Sequence, residues 1–216
     1  MSNNQQEQSS KSNESSSINE SDFAAAIQSH NSSSIEDYNV LKAIGKGKFS
    51  VVYRAIEKTS EKIVALKRIA IVDITDERQR QKTLKEVRLL QRLDHPNIIK
   101  YLDAFIDEHD LIIVFEWAEA GDLKRQLRKA REKKVRFDER LVWRYFSQIC
   151  SAIQYMHNMR VMHRDLKPAN IFLTAKGQVK VGDLGLSRAV SIYDILFMKY
   201  HTTIKLTPHS YILGCG

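Results

Sequence analysis

Apolar residues recur with two different periods along this chain, and the change of period divides it. "YNVLKAIG", "SVVYRAI" and "KIVALKRI" are short runs rich in β-branched and aromatic residues. They are separated by "GKGKF" and "EKTSE", so they predict antiparallel strands joined by turns. In "TDERQRQKTLKEVRLLQRL" the period lengthens: Leu84, Val87 and Leu90 fall three apart on one helix face, and Thr75 or Asp76 can cap its start. "NIIKYLDAFI" and "DLIIVFEW" predict two more strands. Five strands and one helix make an α+β unit.

A stronger helix follows. In "RLVWRYFSQICSAIQYMHNM", residues Leu141, Val142, Tyr145, Phe146, Ile149, Ala152, Ile153 and Met156 hold the i, i+3, i+4, i+7 pattern for four turns. Asp138 is placed to cap it. One face of this helix needs a cover. "IFLTAKGQVKVGD" then alternates around a Lys-Gly turn, as a small hairpin does.

Neither end shares these patterns. Residues 1–36 contain 12 Ser, 5 Asn and 4 Gln, and only "FAAAI" is apolar. Such a stretch cannot bury enough surface to offset its ordering entropy and is expected to be disordered. In residues 189–216, 15 of 28 positions are apolar or Cys and no single period holds throughout. The expected organisation is therefore a polar tail (1–36), one domain (37–188) and an apolar tail (189–216).

Charge and composition narrow the classes. The net charge is +8, while residues 1–36 carry Lys11 against Glu7, Glu14, Glu20, Asp22 and Glu36, so the excess lies in the body. Nucleic acid or an acidic partner would suit it, and so would plain solvated helix faces. Two cysteines give no disulfide framework and suggest a reducing compartment. The longest apolar run, "LIIVF", is too short to span a bilayer, the polar N-terminus shows no secretory signal, and the final "GCG" is not a prenylation box.

Candidate chemistry lies in five places. Gly45 and Gly47, with Lys46, Lys48, Phe49 and Ser50 around them, stand between two strands, where glycines let backbone N–H groups approach a phosphate. Lys67 in "VALK" sits inside a strand and needs an anion. Glu86 on the first helix is one possible partner. His163, Arg164, Asp165 and Asn170 follow the long helix, and Asp183 follows a strand. Carboxylates and an amide at such turns suit a divalent cation and a phosphate. Taken singly, each feature has an ordinary explanation: a glycine hairpin, a snorkelling lysine, a polar loop.

Taken together they resemble a known set. "HRDLKPAN" matches the protein-kinase catalytic loop throughout, the other elements stand in kinase order, and "GDLG" follows at kinase spacing. "GKGKFSVVY", "HPNIIKYLDAFI", "EWAEAGDL" and "KVGDLGLSR" are similar to the NIMA-related kinases, particularly their short members, over about residues 38 to 188. That family carries D-L-G in place of D-F-G and Ser at the third glycine position, here Ser50. Lys167 marks a serine/threonine kinase.

The resemblance implies a fold and a set of roles. The fold is a kinase-like α+β unit, with a complete five-stranded N-lobe carrying one long helix (37–115), a hinge (116–121) and part of a helical C-lobe (122–188). ATP and Mg2+ are the implied cofactors. The Gly45–Ser50 loop covers the ATP phosphates, Val52 and Ala65 roof the adenine, and Phe172 floors it. Lys67, held by Glu86, binds the α- and β-phosphates. Phe115 is the gatekeeper, and Glu116, Trp117 and Ala118 begin the hinge. Asp183 and Asn170 hold magnesium, Asp165 accepts the substrate hydroxyl's proton, and Lys167 steadies the γ-phosphate.

Partners and location follow from the same resemblance. Proteins bearing Ser or Thr are the implied substrates, an activating protein partner is compatible with it, and neither nucleic acid nor a membrane is expected. The basic run "KRQLRKAREKKVR" reads as a solvent-facing helix of the larger lobe. A cytoplasmic site is implied, with nuclear, centrosomal or spindle association.

The family pattern stops at Arg188. No P-E motif or D-x-W-x-x-G motif follows it, so most of the substrate platform is absent from this stretch of sequence. The alternative reading is therefore a non-catalytic ATP-binding or dominant-interfering fragment of such an enzyme.

Overall fold

A computed structural model of the chain describes residues 33–182 and 188–189. Five strands, β1 (Tyr38–Lys46), β2 (Ser50–Glu57), β3 (Ile63–Ala70), β4 (Tyr101–Asp107) and β5 (Asp110–Glu116), form an antiparallel sheet in the order β1-β2-β3-β5-β4. The strand expected over 97–106 is shorter than its apolar run. Asn97 to Lys100 form a turn and an extended link instead, and only residues from Tyr101 onward pair with β5.

Alternation sorts each strand onto two faces. Val64 and Leu66 of β3, with Ile112 and Val114 of β5, pack on the outer face with Tyr38, Ala55 and Phe105. Tyr38 stacks on Phe105 with ring centroids 5.9 Å apart. A short 3-10 turn (Ile35–Asp37) lays Ile35 against this cluster, so the described body begins inside the polar N-terminal stretch. The inner face carries Ile69, Leu111 and Ile113, which join the larger core.

Helix α1 (Glu77–Gln91) closes that inner face. Of its two candidate caps, Asp76 acts: its carboxylate accepts the Arg78 N–H at 3.0 Å. Leu84, Val87 and Leu90 are buried, as their spacing predicts, and each such side chain contributes about 1.5–3 kcal/mol when fully buried.

The chain then enters the larger lobe through β6 (Gly121–Asp122), α2 (Leu123–Glu132), α3 (Glu139–Asn158), β7 (Val161–Met162), a 3-10 turn (Pro168–Asn170), β8 (Ile171–Leu173), β9 (Val179–Val181) and β10 (Arg188–Ala189). The expected hairpin is β8 and β9, turned at Gly177, whose φ of 69° favours glycine. Helix α2 carries the basic run and buries none of its residues, as a solvated helix should. The lobes also touch away from the hinge. Ile98 bridges Val181, where the Ile99 N–H donates to the Val181 carbonyl and the Val181 N–H donates to the Asn97 carbonyl, both at 2.8 Å.

Helix α3 departs from expectation in two ways. Asp138 occupies the N-cap position but makes no side-chain cap bond; its backbone carbonyl accepts the Val142 N–H instead. And of the apolar stripe only Ala152 and Met156 are fully buried, while Val142 and Phe146 are 49% and 55% exposed. Full burial is confined to the C-terminal half of the helix, which packs on β7 and β9, while Tyr145, Ile149 and Ile153 pack only partly against the core.

Candidate active site

Strand register sets one row of the site. Gly45 pairs with Val52, Val52 with Lys67, Lys67 with Ile113, and Ile113 with Ala104. Paired residues share a face, so a glycine, a valine and a lysine stand side by side on the inner face of the sheet. Ala65 lies two residues before Lys67 on that face and pairs with Phe115. An ammonium in so apolar a row requires a counter-charge. Glu86 supplies it from α1: its Oε1 lies 2.8 Å from Lys67 Nζ, and the two side chains are 13% and 19% exposed. Glu86 is thus the partner, rather than Glu77, the other glutamate of the helix.

The glycine turn between β1 and β2 folds back on itself. The Gly47 N–H donates to the Ser50 carbonyl at 2.7 Å, and the Phe49 carbonyl accepts the Ala70 N–H at 3.1 Å. Phe49 packs on the main core, and Lys48 Nζ lies 4.7 Å from the centre of its ring. Lys46 ends β1, opposite Val51.

A second group gathers on the loop after β7. Lys167 Nζ lies 2.7 Å from Asp165 Oδ2, and Asn170 Nδ2 donates to the same oxygen at 3.0 Å and to the Asp165 carbonyl at 2.9 Å. Lys167 above all, and Asn170 after it, hold the Asp165 carboxyl below the usual carboxylate range. Asp165 therefore stays an acceptor at neutral pH. The amide nitrogen of Asn170 is occupied by Asp165, which leaves its oxygen as the atom suited to a hard cation.

His163 and Arg164 fix that loop. His163 is 4% exposed, and its Nδ1 faces the Asp165 N–H at 3.3 Å. A backbone N–H can only donate, so Nδ1 accepts and the ring proton sits on Nε2, which donates to the Gly182 carbonyl at 3.0 Å. Arg164 has φ 66°, a left-handed conformation that side chains seldom adopt and that turns Asp165 away from the strand path. Gly182 in turn donates its N–H to the Asn170 carbonyl at 2.9 Å. Asp183, expected to bind magnesium, lies outside the described residues.

The hinge and floor complete the set. Phe115 ends the inner row, and Trp117 stacks near Arg54, whose guanidinium carbon is 5.8 Å from the ring centre. Ala118 is buried and its carbonyl accepts the Gly121 N–H at 3.3 Å. Phe172 lies on β8 against Gly182; a Cβ at Gly182 would stand 2.8 Å from Phe172 Cε2 and 2.9 Å from Ile99 Cγ1. Only glycine permits that approach.

One element escaped the sequence reading. Lys180 Nζ lies 2.7 Å from Glu116 Oε1, and the Lys100 N–H donates to the same oxygen at 2.7 Å. This ties the strand before Asp183 to the hinge. A lysine at the centre of the buried strand "VKV" was the available signal, because a buried ammonium needs a partner.

A lysine–glutamate pair on a glycine-turned sheet and an Asp-Lys-Asn cluster in the second lobe are the parts a protein-kinase fold carries. The protein kinase domain family matches residues 38–207, and the chain belongs to that family. It is similar to the probable serine/threonine-protein kinase nek2 of Dictyostelium discoideum (36% identical over 162 residues, 73% of this chain and 38% of that protein). It is also similar to the serine/threonine-protein kinase Nek2 of Homo sapiens (38% identical over 181 residues, 81% and 40%). Cell division control protein 2 homolog 3 of Trypanosoma brucei brucei is 39% identical over 155 residues (72% and 48%). The chain thus spans less than half the length of these relatives.

Proposed function

We propose that this chain transfers the γ-phosphate of ATP to serine or threonine hydroxyls of proteins. The observation that carries this reading is the Lys67–Glu86 pair, formed at 2.8 Å on the same body as the Asp165–Lys167–Asn170 cluster. Lys67, oriented by Glu86, binds the α- and β-phosphate oxygens. The Gly45–Ser50 turn covers the phosphates, and Val52, Ala65 and Phe172 enclose the base beside Phe115 and the hinge from Glu116 to Ala118. The substrate hydroxyl hydrogen-bonds to Asp165, which takes its proton as the oxygen attacks the γ-phosphorus and the bond to the β,γ-bridging oxygen breaks, releasing ADP. Lys167, beside Asp165, neutralises charge on the moving phosphoryl group. Asn170, through its amide oxygen, and Asp183 would hold magnesium, which supplies further charge neutralisation at the phosphates.

Incubation with magnesium and labelled ATP and a mixed protein substrate tests the reading. Label on serine or threonine that disappears in Asp165→Asn supports it. Nucleotide binding with no transfer by the intact chain would favour the second reading, an ATP-binding fragment that docks without catalysis. That reading draws support from the apolar face of α3, which the described residues leave partly exposed at Val142 and Phe146. The resemblance to NIMA-related kinases implies a cytoplasmic site with nuclear, centrosomal or spindle association, which imaging of a tagged chain through mitosis would test.

A further inference from the structure

The central and C-terminal turns of α3 leave an open, mostly apolar concavity of about 450 Å³, lined by Phe146, Ile149, Cys150, Ile153 and Leu166 together with the polar Gln154, His157 and Asn158. Phe146 and Leu166 are 55% and 50% exposed. Contiguous apolar surface of this kind marks an interaction site. The described chain ends beside it: Ala189 pairs with Val161, three residues beyond the end of α3. Twenty-seven residues follow Ala189.

Their pattern suits the groove. Tyr193, Leu196, Phe197 and Tyr200 fall at i, i+3, i+4 and i+7, while Ser191, Asp194 and Lys199 fall outside that stripe together with the apolar Ile192, Ile195 and Met198. From Phe146 to Asn158 the face runs roughly 18 Å at 1.5 Å per residue. Three or four linking residues span about 10 Å, enough to bring the stripe onto its near end. A short tether also raises the local concentration of the segment to the order of mM, well above that of a second copy at μM protein.

We propose that residues 192–200 of this chain dock on the α3 face around Cys150 and cover its apolar concavity. The occupant is intramolecular, and the face is closed in the isolated chain.

Cys150 reports on the cover, because it lies in the concavity and Cys215 is the only other cysteine. In the Cys215→Ser chain, N-ethylmaleimide should modify Cys150 at least ten-fold more slowly than in the same chain carrying Leu196→Asp and Phe197→Asp. Equal rates would overturn the proposal. Protection that falls on dilution would overturn it too, because it would make a second copy the cover. The Phe197→Cys, Cys215→Ser chain gives an independent reading if the aspartate variant does not fold. A short bis-maleimide should join positions 150 and 197 within one monomer; a cross-linked dimer, or no cross-link, would overturn the proposal.

Discussion

His163 Nε2 lies 3.0 Å from the Gly182 carbonyl, while the other ring nitrogen accepts the Asp165 N–H. One imidazole thus ties the start of the acceptor loop to the residue before Asp183. The ring is buried, so removing it leaves a backbone donor and acceptor without their partner and opens a cavity. His163→Ala should destabilise the chain by about 2–4 kcal/mol, read from the midpoint of denaturant unfolding. A loss below a few tenths would mean that the ring does not organise the loop.

Lys67 and Glu86 form the second test. Magnesium-ATP should raise the unfolding temperature of the intact chain, because a ligand that binds only the folded state stabilises it. Lys67→Met should abolish most of that rise. It should also cost about 1–3 kcal/mol without nucleotide, by leaving Glu86 with no counter-charge at 13% exposure. A nucleotide shift of full size in Lys67→Met would remove this lysine from the phosphate site.

Gly182 should resist substitution by the smallest side chain. The new methyl in Gly182→Ala meets Phe172 and Ile99 below 3.0 Å, so the Phe172 ring, proposed above to floor the adenine, must move. Over-packing of this kind costs about 1–3 kcal/mol. The expected result is a lower unfolding midpoint and a smaller nucleotide shift than in the intact chain. An unchanged nucleotide shift would show that Phe172 does not contact the base.

Asp165 gives a pH test that needs no turnover. Its carboxyl is held low first by the Lys167 hydrogen bond, so the charged form is favoured and protonation waits for pH below the usual carboxylate range. Lys167→Met removes that cause. The Asp165 side-chain carbon signal in 13C NMR should then titrate at higher pH than in the intact chain. A midpoint that stays put would assign the depression to another group.

Much of this was legible in the chain. The strands of the sheet and the helix α1 follow from period and turn residues, because one face of each element is buried and the pattern has to record which. Lys67 was legible as chemistry because a lysine inside an apolar strand needs an anion, and Asp165 because carboxylates and an amide at turns, here within "HRDLKPAN", suit a cation and a phosphate. Other features were not. Glu86 could be named but not separated from other helix glutamates by spacing alone; the register of β3 with β5 and the packing of α1 decide it. The Glu116–Lys180 pair joins positions 64 residues apart, and no local pattern encodes such a meeting. The stripe on α3 predicted burial, but a stripe specifies only that a cover is needed, not which residues supply it.

The segment from Asp94 to Ile98 gives the two lobes a second attachment besides the hinge: Ile98 bridges Val181, the Asp94 N–H donates to the Tyr155 hydroxyl, and the Asn97 amide donates to Gln148 and to the Val179 carbonyl. Two bodies joined at two points keep one easy motion, rotation about the line through both. Opening of the cleft in this molecule is then the swing of a door on two pins. The Glu116–Lys180 pair lies near that line, so it can persist while the glycine turn at the far edge of the sheet travels the greatest distance.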